Sequence, residues 1–236
     1  MKQVFNDKLE EDYRTLPEWA GHLRKLAPDF YHNYVELRGS ILNDGVLKRK
    51  EKDLILVGVN AAKRYNPSLI GHTRLAIYNG ATPKEVAEAV LVGIISRGIP
   101  TWMEGRKAVL EAEILCNEKV SLEDELKATS DQDSEQPDWL LELKTLSPTI
   151  GENYLLLRKS ILQDGNLSRL FKELILVGIN LSDGYHEGTK LHVGNSRLLG
   201  ATDQHLIEVA LTVVLTSGIP AWFNILPFIE RKPILM

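Results

Sequence analysis

Two histidines, His72 and His192, lie 120 residues apart (192 − 72) in this chain of 236 residues. Imidazole is well suited to donating or accepting a proton near neutral pH, because its ordinary pKa is about 6.5. A tyrosine precedes each histidine by seven residues, Tyr65 and Tyr185. On a continuous helix, residues seven apart share a face, so each phenol could donate a hydrogen bond to a substrate that also contacts its histidine. The alternatives are structural: a packed or exposed histidine and a core tyrosine.

Four cations recur with the same offset of 120 residues: Arg38 with Arg158, and Lys52 with Lys172. Any of them could bind the carboxylate of a small acid, and arginine does so through two parallel hydrogen bonds. A solvated helix face or a subunit contact is the more common use of such residues.

The offset reflects an internal duplication. The segment YVELRGSILNDGVLKRKEKDLILVGVN aligns without a gap with YLLLRKSILQDGNLSRLFKELILVGIN, and 34 of the 86 pairs between 17–102 and 137–222 are identical. We therefore predict two modules, copy one (1–120) and copy two (137–236). The segment between them, 121–136, is acidic and poor in apolar residues, which is typical of a linker.

Each copy has the patterns of five or six helices and no convincing hairpin. Trp19, Leu23 and Leu26 lie on one helical face, and Phe30 begins a second stripe of the same spacing. The run LILVGV could be a buried strand, but the length of 47–62 favours a helix. Asn66-Pro67 is typical of an N-cap followed by proline, and Thr82-Pro83-Lys84-Glu85 of a capping box. The predicted fold class is all-α.

Composition excludes several functions. The charge is −4 and the basic residues are dispersed, which disfavours nucleic acid as a partner. No apolar run reaches the roughly 20 residues that span a bilayer, and the start lacks the apolar stretch of a signal peptide, so we expect no membrane association and a cytoplasmic location. The single cysteine, Cys116, cannot form an internal disulfide or a CxxC pair. His186, Glu187 and His192 fit no common metal-ligand spacing, so no metal is predicted.

The stretch HTRLAIYNGATPKEVAEAVLVGIISRGIP, from His72, resembles the carboxymuconolactone decarboxylase family, whose helical fold is shared with the alkylhydroperoxidase-like disulfide reductases. Copy two repeats it as HVGNSRLLGATDQHLIEVALTVVLTSGIP, and the resemblance covers 34–102 and 154–222. It implies two tandem alkylhydroperoxidase-like modules that form a pseudo-two-fold unit. Single-copy relatives form hexameric rings, which implies a homotrimer of tandem chains with pockets near the junctions.

The thiol-bearing relatives carry a CxxC pair just ahead of the histidine. Those positions are Tyr65 and Ser68 in copy one, and Tyr185 and Gly188 in copy two. Because peroxide reduction needs a thiolate nucleophile, the resemblance in this form disfavours peroxidase activity.

The resemblance also assigns acidic partners to the histidines. The family's acidic helix position, 19 residues before the histidine, is Asp53 in copy one and Glu173 in copy two. Copy two also has Glu187 five residues before its histidine, where the decarboxylases tend to be acidic. Copy one has Pro67 there, which puts an active site in copy one in doubt.

The resemblance to the thiol-free relatives implies a cofactor-free decarboxylase (a lyase) or isomerase-like enzyme for a small carboxylated lactone or keto acid. Loss of CO₂ leaves electron density that must be delocalised and then protonated at carbon. His192 with Glu173 or Glu187, and less clearly His72 with Asp53, would supply the acid and its orienting carboxylate, which would raise the imidazole pKa. Tyr185, Tyr65, Arg158 and Arg38 would bind the substrate. The alternative is a non-catalytic binding or scaffold protein of the same fold.

Overall fold

The computed structural model describes residues 18–123 and 137–229, and all regular structure within them is helical. Copy one contains α1 (Glu18–Leu26), α2 (Pro28–Leu42), α3 (Arg49–Lys63), α4 (Asn66–Tyr78), α5 (Pro83–Arg97) and α6 (Pro100–Cys116). Copy two contains α7 (Asp138–Leu146), α8 (Pro148–Leu162), α9 (Arg169–Asp183), α10 (His186–Leu198), α11 (Asp203–Ser217) and α12 (Pro220–Ile225), followed by a 3₁₀ turn, Leu226–Phe228. The all-α prediction is confirmed. Most of the predicted linker, 124–136, lies outside the described residues.

Local sequence signals set several helix boundaries. The backbone N–H of Glu85 donates to Thr82 Oγ1 at 3.2 Å, and the Glu85 carboxylate accepts from the Thr82 N–H at 2.8 Å, which confirms the predicted capping box. Helix α4 begins one residue earlier than predicted, because Tyr65 is the N-cap and Asn66 the first helical residue. The ambiguous apolar run belongs to α3, a helix buried along most of its length.

The two copies share one hydrophobic core, which is centred on α3 and α9. A Cβ atom at Gly58 of α3 would lie 2.7 Å from Ile175 Cγ2 of α9, and one at Gly178 would lie 3.2 Å from Ile55 Cγ2. The missing side chains therefore let the two helices approach closely at equivalent points. Helices α5 and α11 pack around this central pair.

Two crossed ion pairs join the copies inside this core. Lys52 Nζ lies 3.1 Å from Glu208 Oε2, and Lys172 Nζ lies 2.8 Å from Glu88 Oε2. Within its own copy, Lys52 also donates to the backbone carbonyls of Ile41 and Asn43. Lys172 donates to the Gln163 carbonyl at 2.7 Å. Both lysines are buried. They are therefore structural residues here, and they are not exposed to bind a substrate carboxylate.

The carboxylates of these ion pairs lie against two glycine turns: Glu208 against Asp44-Gly45, and Glu88 against the equivalent turn Asp164-Gly165. A Cβ atom at Gly45 would lie 2.3 Å from Glu208 Oε1, and one at Gly165 would lie 2.7 Å from Glu88 Oε1. Glu208 also accepts hydrogen bonds at 3.1 Å from the backbone N–H groups that follow Gly45. The close approach of the carboxylate explains why glycine is needed in each turn.

The apolar faces of the first two helices of each copy remain largely exposed in the single chain. Trp19 is 52% exposed, Leu26 75%, Leu146 85% and Ile150 60%. The helical spacing was predicted correctly, but within the part of the chain that the structure describes these faces have little to pack against.

Within 18–123 and 137–229, no helix has the length and apolar character that crossing a bilayer requires.

We predict that Glu88→Gln lowers the free energy of unfolding by about 3–5 kcal/mol, because it leaves the Lys172 ammonium buried without its carboxylate. Urea unfolding followed by circular dichroism measures this. The control is Glu104→Gln, in the exposed pair with Lys107, which should have a much smaller effect. Equal effects of the two variants would contradict a structural role for the crossed pair.

The same carboxylate should make the fold acid-sensitive. Burial alone would raise the pKa of Glu88, but hydrogen bonds from Lys172, Asn166 and Leu167 outweigh it, so the pKa lies below its ordinary value of 4.5. The stabilisation is therefore present above pH 4.5 and is lost as the pH falls through the lower folded-state pKa. Glu88→Gln should weaken this acid dependence.

Candidate functional site

The imidazole of copy two is bound to a buried carboxylate. Glu173 lies in the second turn of α9 and His192 in the middle of α10, and these two helices pack against each other. His192 Nδ1 lies 2.6 Å from Glu173 Oε2, and the two residues are 4% and 0% exposed. With Nδ1–H donating to the carboxylate, Nε2 is the ring nitrogen left to exchange a proton with a ligand. Of the two predicted acids, Glu173 bonds the ring.

Copy one repeats this pair with a shorter acid. His72 Nδ1 lies 2.9 Å from Asp53 Oδ1, and the aspartate is fully buried. Asp53 Oδ2 also accepts from Arg49 Nε at 2.9 Å. The carboxylate of copy one is thus shared between the imidazole and a guanidinium one helical turn away.

The pKa of His72 lies below its ordinary value of 6.5, because burial disfavours the charged ring. The Asp53 carboxylate acts in the opposite direction but does not compensate, and the charges of Arg38 and Arg49 lower the pKa further. The expectation that a carboxylate neighbour would give this ring a raised pKa is therefore wrong for His72. The carboxylate orients the ring, while burial keeps it neutral.

An asparagine completes each pair, and sequence analysis missed both. Asn195 Nδ2 donates to Glu173 Oε1 at 3.2 Å, and Asn79 Nδ2 donates to Asp53 Oδ2 at 3.3 Å. The two asparagines are one helical turn out of register, since 195 − 120 is 75, where copy one has leucine. In copy two the longer acid is bonded by an amide that lies one helical turn earlier than in copy one. The 120-residue alignment obscures this relation, because it pairs each asparagine with a leucine.

A cleft of about 990 Å³ opens above His192. Its walls come from the start of α7, from α8 and from α10, and copy one contributes Ile95 and Ser96 from the end of α5. Four predicted residues of copy two line it: Arg158, Tyr185, Glu187 and His192. Glu173 lies behind the histidine. The structure thus brings the predicted copy-two residues together at a junction between the copies.

Arg158 is the buried cation of this cleft, only 5% exposed. Burial lowers the pKa of its guanidinium from the ordinary value, and the negative charge of Glu173 opposes that effect. No described residue accepts a hydrogen bond from this guanidinium. Beside it, the Tyr154 hydroxyl donates to the Ile95 carbonyl at 3.1 Å, and its ring meets Trp139 edge to face with centroids 5.6 Å apart.

Comparison with known proteins identifies the module. Residues 28–111 and 148–231 each match the carboxymuconolactone decarboxylase family. The chain belongs to this family. It also resembles two solved structures from Burkholderia xenovorans LB400. One, described as a gamma-carboxymuconolactone decarboxylase subunit, is 23% identical with a TM-score of 0.66, and the match covers 95% of each chain. The other, assigned as a carboxymuconolactone decarboxylase, is 31% identical with a TM-score of 0.42, covering 50% of this chain and 95% of that one. None of the curated proteins matches.

At Gly188, which is one of the two copy-two positions that correspond to the cysteines of the thiol-bearing relatives, the structure leaves little room for a side chain. A Cβ atom at Gly188 would lie 2.5 Å from Tyr185 Cδ1 and 2.6 Å from Asn180 Oδ1, so any side chain there would force a shift. Cys116 is half-buried at the end of α6, and burial raises the pKa of its thiol, which opposes thiolate formation. These features provide no activated thiolate for peroxide chemistry.

The remaining copy-one candidates lie around His72 in a different setting. Arg38 is half-buried and close enough for its charge to act on the His72 ring. Tyr65 is 51% exposed at the start of α4, and Pro67 occupies the position of Glu187. Copy one therefore keeps the imidazole, its acid and a nearby cation, but it lacks the second acid.

We predict that the His72 ring titrates below pH 6.5 in the folded protein, because burial disfavours its charge. Long-range ¹H–¹⁵N NMR of the imidazole nitrogens, assigned with His72→Gln, measures this directly. The unfolded chain binds a proton near pH 6.5 while the folded ring stays neutral. Stability should therefore fall as the pH drops below 6.5, until the folded-state pKa is reached. A folded-state midpoint at or above 6.5 would contradict this assignment.

Proposed function

We propose that the copy-two cleft binds a small carboxylated substrate, a lactone or keto acid, and catalyses a cofactor-free decarboxylation or the related proton shift. His192 exchanges the proton, Glu173 orients its ring, and Arg158 supplies the positive charge. The observation that carries the proposal is the 2.6 Å bond between His192 Nδ1 and the buried Glu173 carboxylate, at the base of a cleft that also contains Arg158.

The reaction needs each of these groups at a different moment. The bond between the carboxylate carbon and its neighbour breaks, CO₂ leaves, and the electron pair moves into a conjugated carbonyl to form a dienolate. The Arg158 guanidinium stabilises the oxygen on which this charge develops. His192, protonated at Nε2, then donates that proton to carbon. Glu173 stabilises the imidazolium before the transfer and keeps Nε2 directed toward the cleft.

Tyr185 and Glu187 have supporting roles in this proposal. Both are exposed on the wall of the cleft, so the phenol can donate to a substrate oxygen and the carboxylate can accept from a substrate hydroxyl or a water molecule. Neither bonds the histidine among the described residues.

A non-catalytic role is the second candidate, and copy one favours it. Arg49 shares the Asp53 carboxylate there, burial lowers the pKa of His72, and proline replaces Glu187. In this alternative the histidine, acid and asparagine are structural hydrogen-bonding groups, and the cleft of copy two only binds ligand.

We predict that His192→Ala abolishes CO₂ release in a screen of unsaturated lactone acids and β-keto acids, with a loss of roughly 10²–10⁴-fold. The reason is that no other described imidazole lines the cleft. The matched control is His186→Ala, an exposed histidine on the same helix, which should keep its activity. Full activity in His192→Ala would exclude the catalytic assignment, and ligand binding without turnover in the unaltered protein would favour the binding role.

We further propose a homotrimer of tandem chains. The support is the exposed apolar surface on the first two helices of each copy, which includes Trp19, Leu26, Leu146 and Ile150. Clusters of exposed large apolar side chains on a single chain are typical of protein interfaces. Trp139, at the start of α7, belongs to the same surface and also lines the cleft, so assembly would complete the wall of the site.

Light scattering coupled to size exclusion should give a mass near 79.5 kDa, three times 26.5 kDa. Leu26→Glu combined with Leu146→Glu should shift the mass toward that of one chain, because burying these charges in an interface is unfavourable. A monomer of 26.5 kDa for the unaltered protein would refute the trimer.

A further inference from the structure

We infer that Ser96 and Arg97 of copy one are positioning residues for the copy-two cleft, where they act through Asn180. The inference rests on the proposed function for the role of His192, but the contacts that carry it depend on no reaction. Ser96 and Asn180 both line the cleft, the serine at the end of α5 and the asparagine in the last turn of α9.

The contact between Ser96 and Asn180 repeats the register of a crossed ion pair. Ser96 lies eight residues after Glu88 on α5 (96 − 88), and Asn180 lies eight residues after Lys172 on α9 (180 − 172). Positions i and i+8 belong to one helical face, so both contacts join the same faces of the two helices. Ser96 Oγ donates to Asn180 Oδ1 at 3.1 Å. Helix α5 is therefore bonded to α9 at two levels, and the second level reaches the cleft.

The side-chain amide of Asn180 is held in one orientation. Asn180 is 1% exposed, and its Nδ2 donates to the Leu176 carbonyl at 2.8 Å. Arg97 Nη1 donates to Ser96 Oγ at 2.7 Å, so the hydroxyl accepts from the guanidinium and uses its only proton for Asn180 Oδ1. Arg97 Nε is itself paired with Asp183 at the end of α9. The guanidinium and the hydroxyl together keep the amide from turning over.

The oriented amide lies against the first turn of α10, the helix that carries the candidate histidine. A Cβ atom at Gly188 would lie 2.6 Å from Asn180 Oδ1, and the Tyr185 N–H donates to the Asn180 backbone carbonyl at 3.0 Å. Gly188 precedes His192 by four residues, so the two positions share a face of α10. The side chain of Asn180 therefore sets where α10 begins, and with it the directions in which Tyr185 and His192 point.

Copy one has the hydroxyl and the asparagine but not the guanidinium. Thr216 Oγ1 donates to Asn60 Oδ1 at 2.8 Å, which repeats the serine–asparagine bond. Ser217 and Lys63 occupy the positions equivalent to the arginine and its aspartate (217 − 120 is 97, and 63 + 120 is 183), so they cannot form the ion pair. Ser68 replaces the glycine, and its Cβ excludes the close approach of the amide oxygen found in copy two. Of the two copies, only copy two combines the guanidinium with this close approach.

The test follows the imidazole signals of His192 in long-range ¹H–¹⁵N NMR of the full-length protein, with His72 in the same spectrum as an internal reference. Ser96→Ala removes the hydroxyl, and we expect it to shift the ring signals of His192 while those of His72 stay in place. Ser96→Thr should retain the original His192 signals, because a threonine makes the equivalent bond to Asn60 in copy one. The matched control is Thr216→Val, which removes that other bond and should leave the His192 signals unchanged.

Arg97→Gln tests the guanidinium separately. The side chains of Arg97 and Asp183 are 23% and 34% exposed, so the loss of their ion pair should have little effect on stability. A shift of the His192 signals in this variant then reports a change of position. The control is Lys107→Gln, which breaks an exposed ion pair with Glu104 outside the cleft lining and should shift neither histidine.

Unchanged His192 signals in Ser96→Ala or in Arg97→Gln would overturn the role of the residue concerned. Equal shifts of the His192 and His72 signals would indicate a general structural change and would also overturn the inference. These spectra require no substrate. Shifted His192 signals, in a protein that releases CO₂ from none of the screened acids, would support the positioning role while removing the proposed catalysis, so the two failures are distinguishable.

Discussion

Two crossed ion pairs hold the rest of the structure in place: Lys52 of α3 with Glu208 of α11, and Lys172 of α9 with Glu88 of α5. Each lysine is buried and is held by the carboxylate of the other copy, and that carboxylate enters a glycine turn in which no side chain would fit. A buried charge that lost its partner would be strongly unfavourable, so the relative position of the copies is fixed at two equivalent points. The shared hydrophobic core then fills the space between these points.

The two helices that carry the lysines, α3 and α9, also position the candidate site. Lys172 and Glu173 are adjacent, so on α9 their side chains point about 100° apart. Lys172 points to the other copy and Glu173 to His192 within its own copy. Lys52 and Asp53 repeat this division on α3. Anchoring the lysine therefore fixes the rotation of the helix, and with it the acid that orients the imidazole.

The sequence predicted what depends on local pattern or on repetition. The helices and the capping box at Thr82 followed from local spacing. Family resemblance gave His192 two candidate acids, Glu173 and Glu187, and the structure shows the bond to Glu173. Long-range packing could not be read in this way. From the sequence, Lys52 is a cation for a ligand, a solvated helix face or a subunit contact, because nothing near it in sequence indicates that Glu208 will meet it in the core.

Other features escaped prediction for different physical reasons. The Asn195 contact was missed because its counterpart in copy one lies one turn along the helix. The pKa of His72 is lowered mainly by burial of the ring, and the sequence shows the neighbouring carboxylate but not how deeply the ring is buried. The cleft itself combines α5 of one copy with α7, α8 and α10 of the other, an arrangement that no single repeat contains.

Each glycine turn binds a glutamate carboxylate of the other copy, and this dependence affects how a tandem chain can evolve. Each of the buried lysines, Lys52 and Lys172, takes its carboxylate partner from the other copy, so each copy needs a neighbouring module that supplies a glutamate. Covalent linkage supplies that neighbour at a high effective concentration in every molecule. In a homo-oligomer every substitution appears in both partners of an interface, whereas in a tandem chain a substitution changes one copy only. The two copies differ in this way: the acid in copy two is one methylene longer, and its asparagine lies one helical turn earlier.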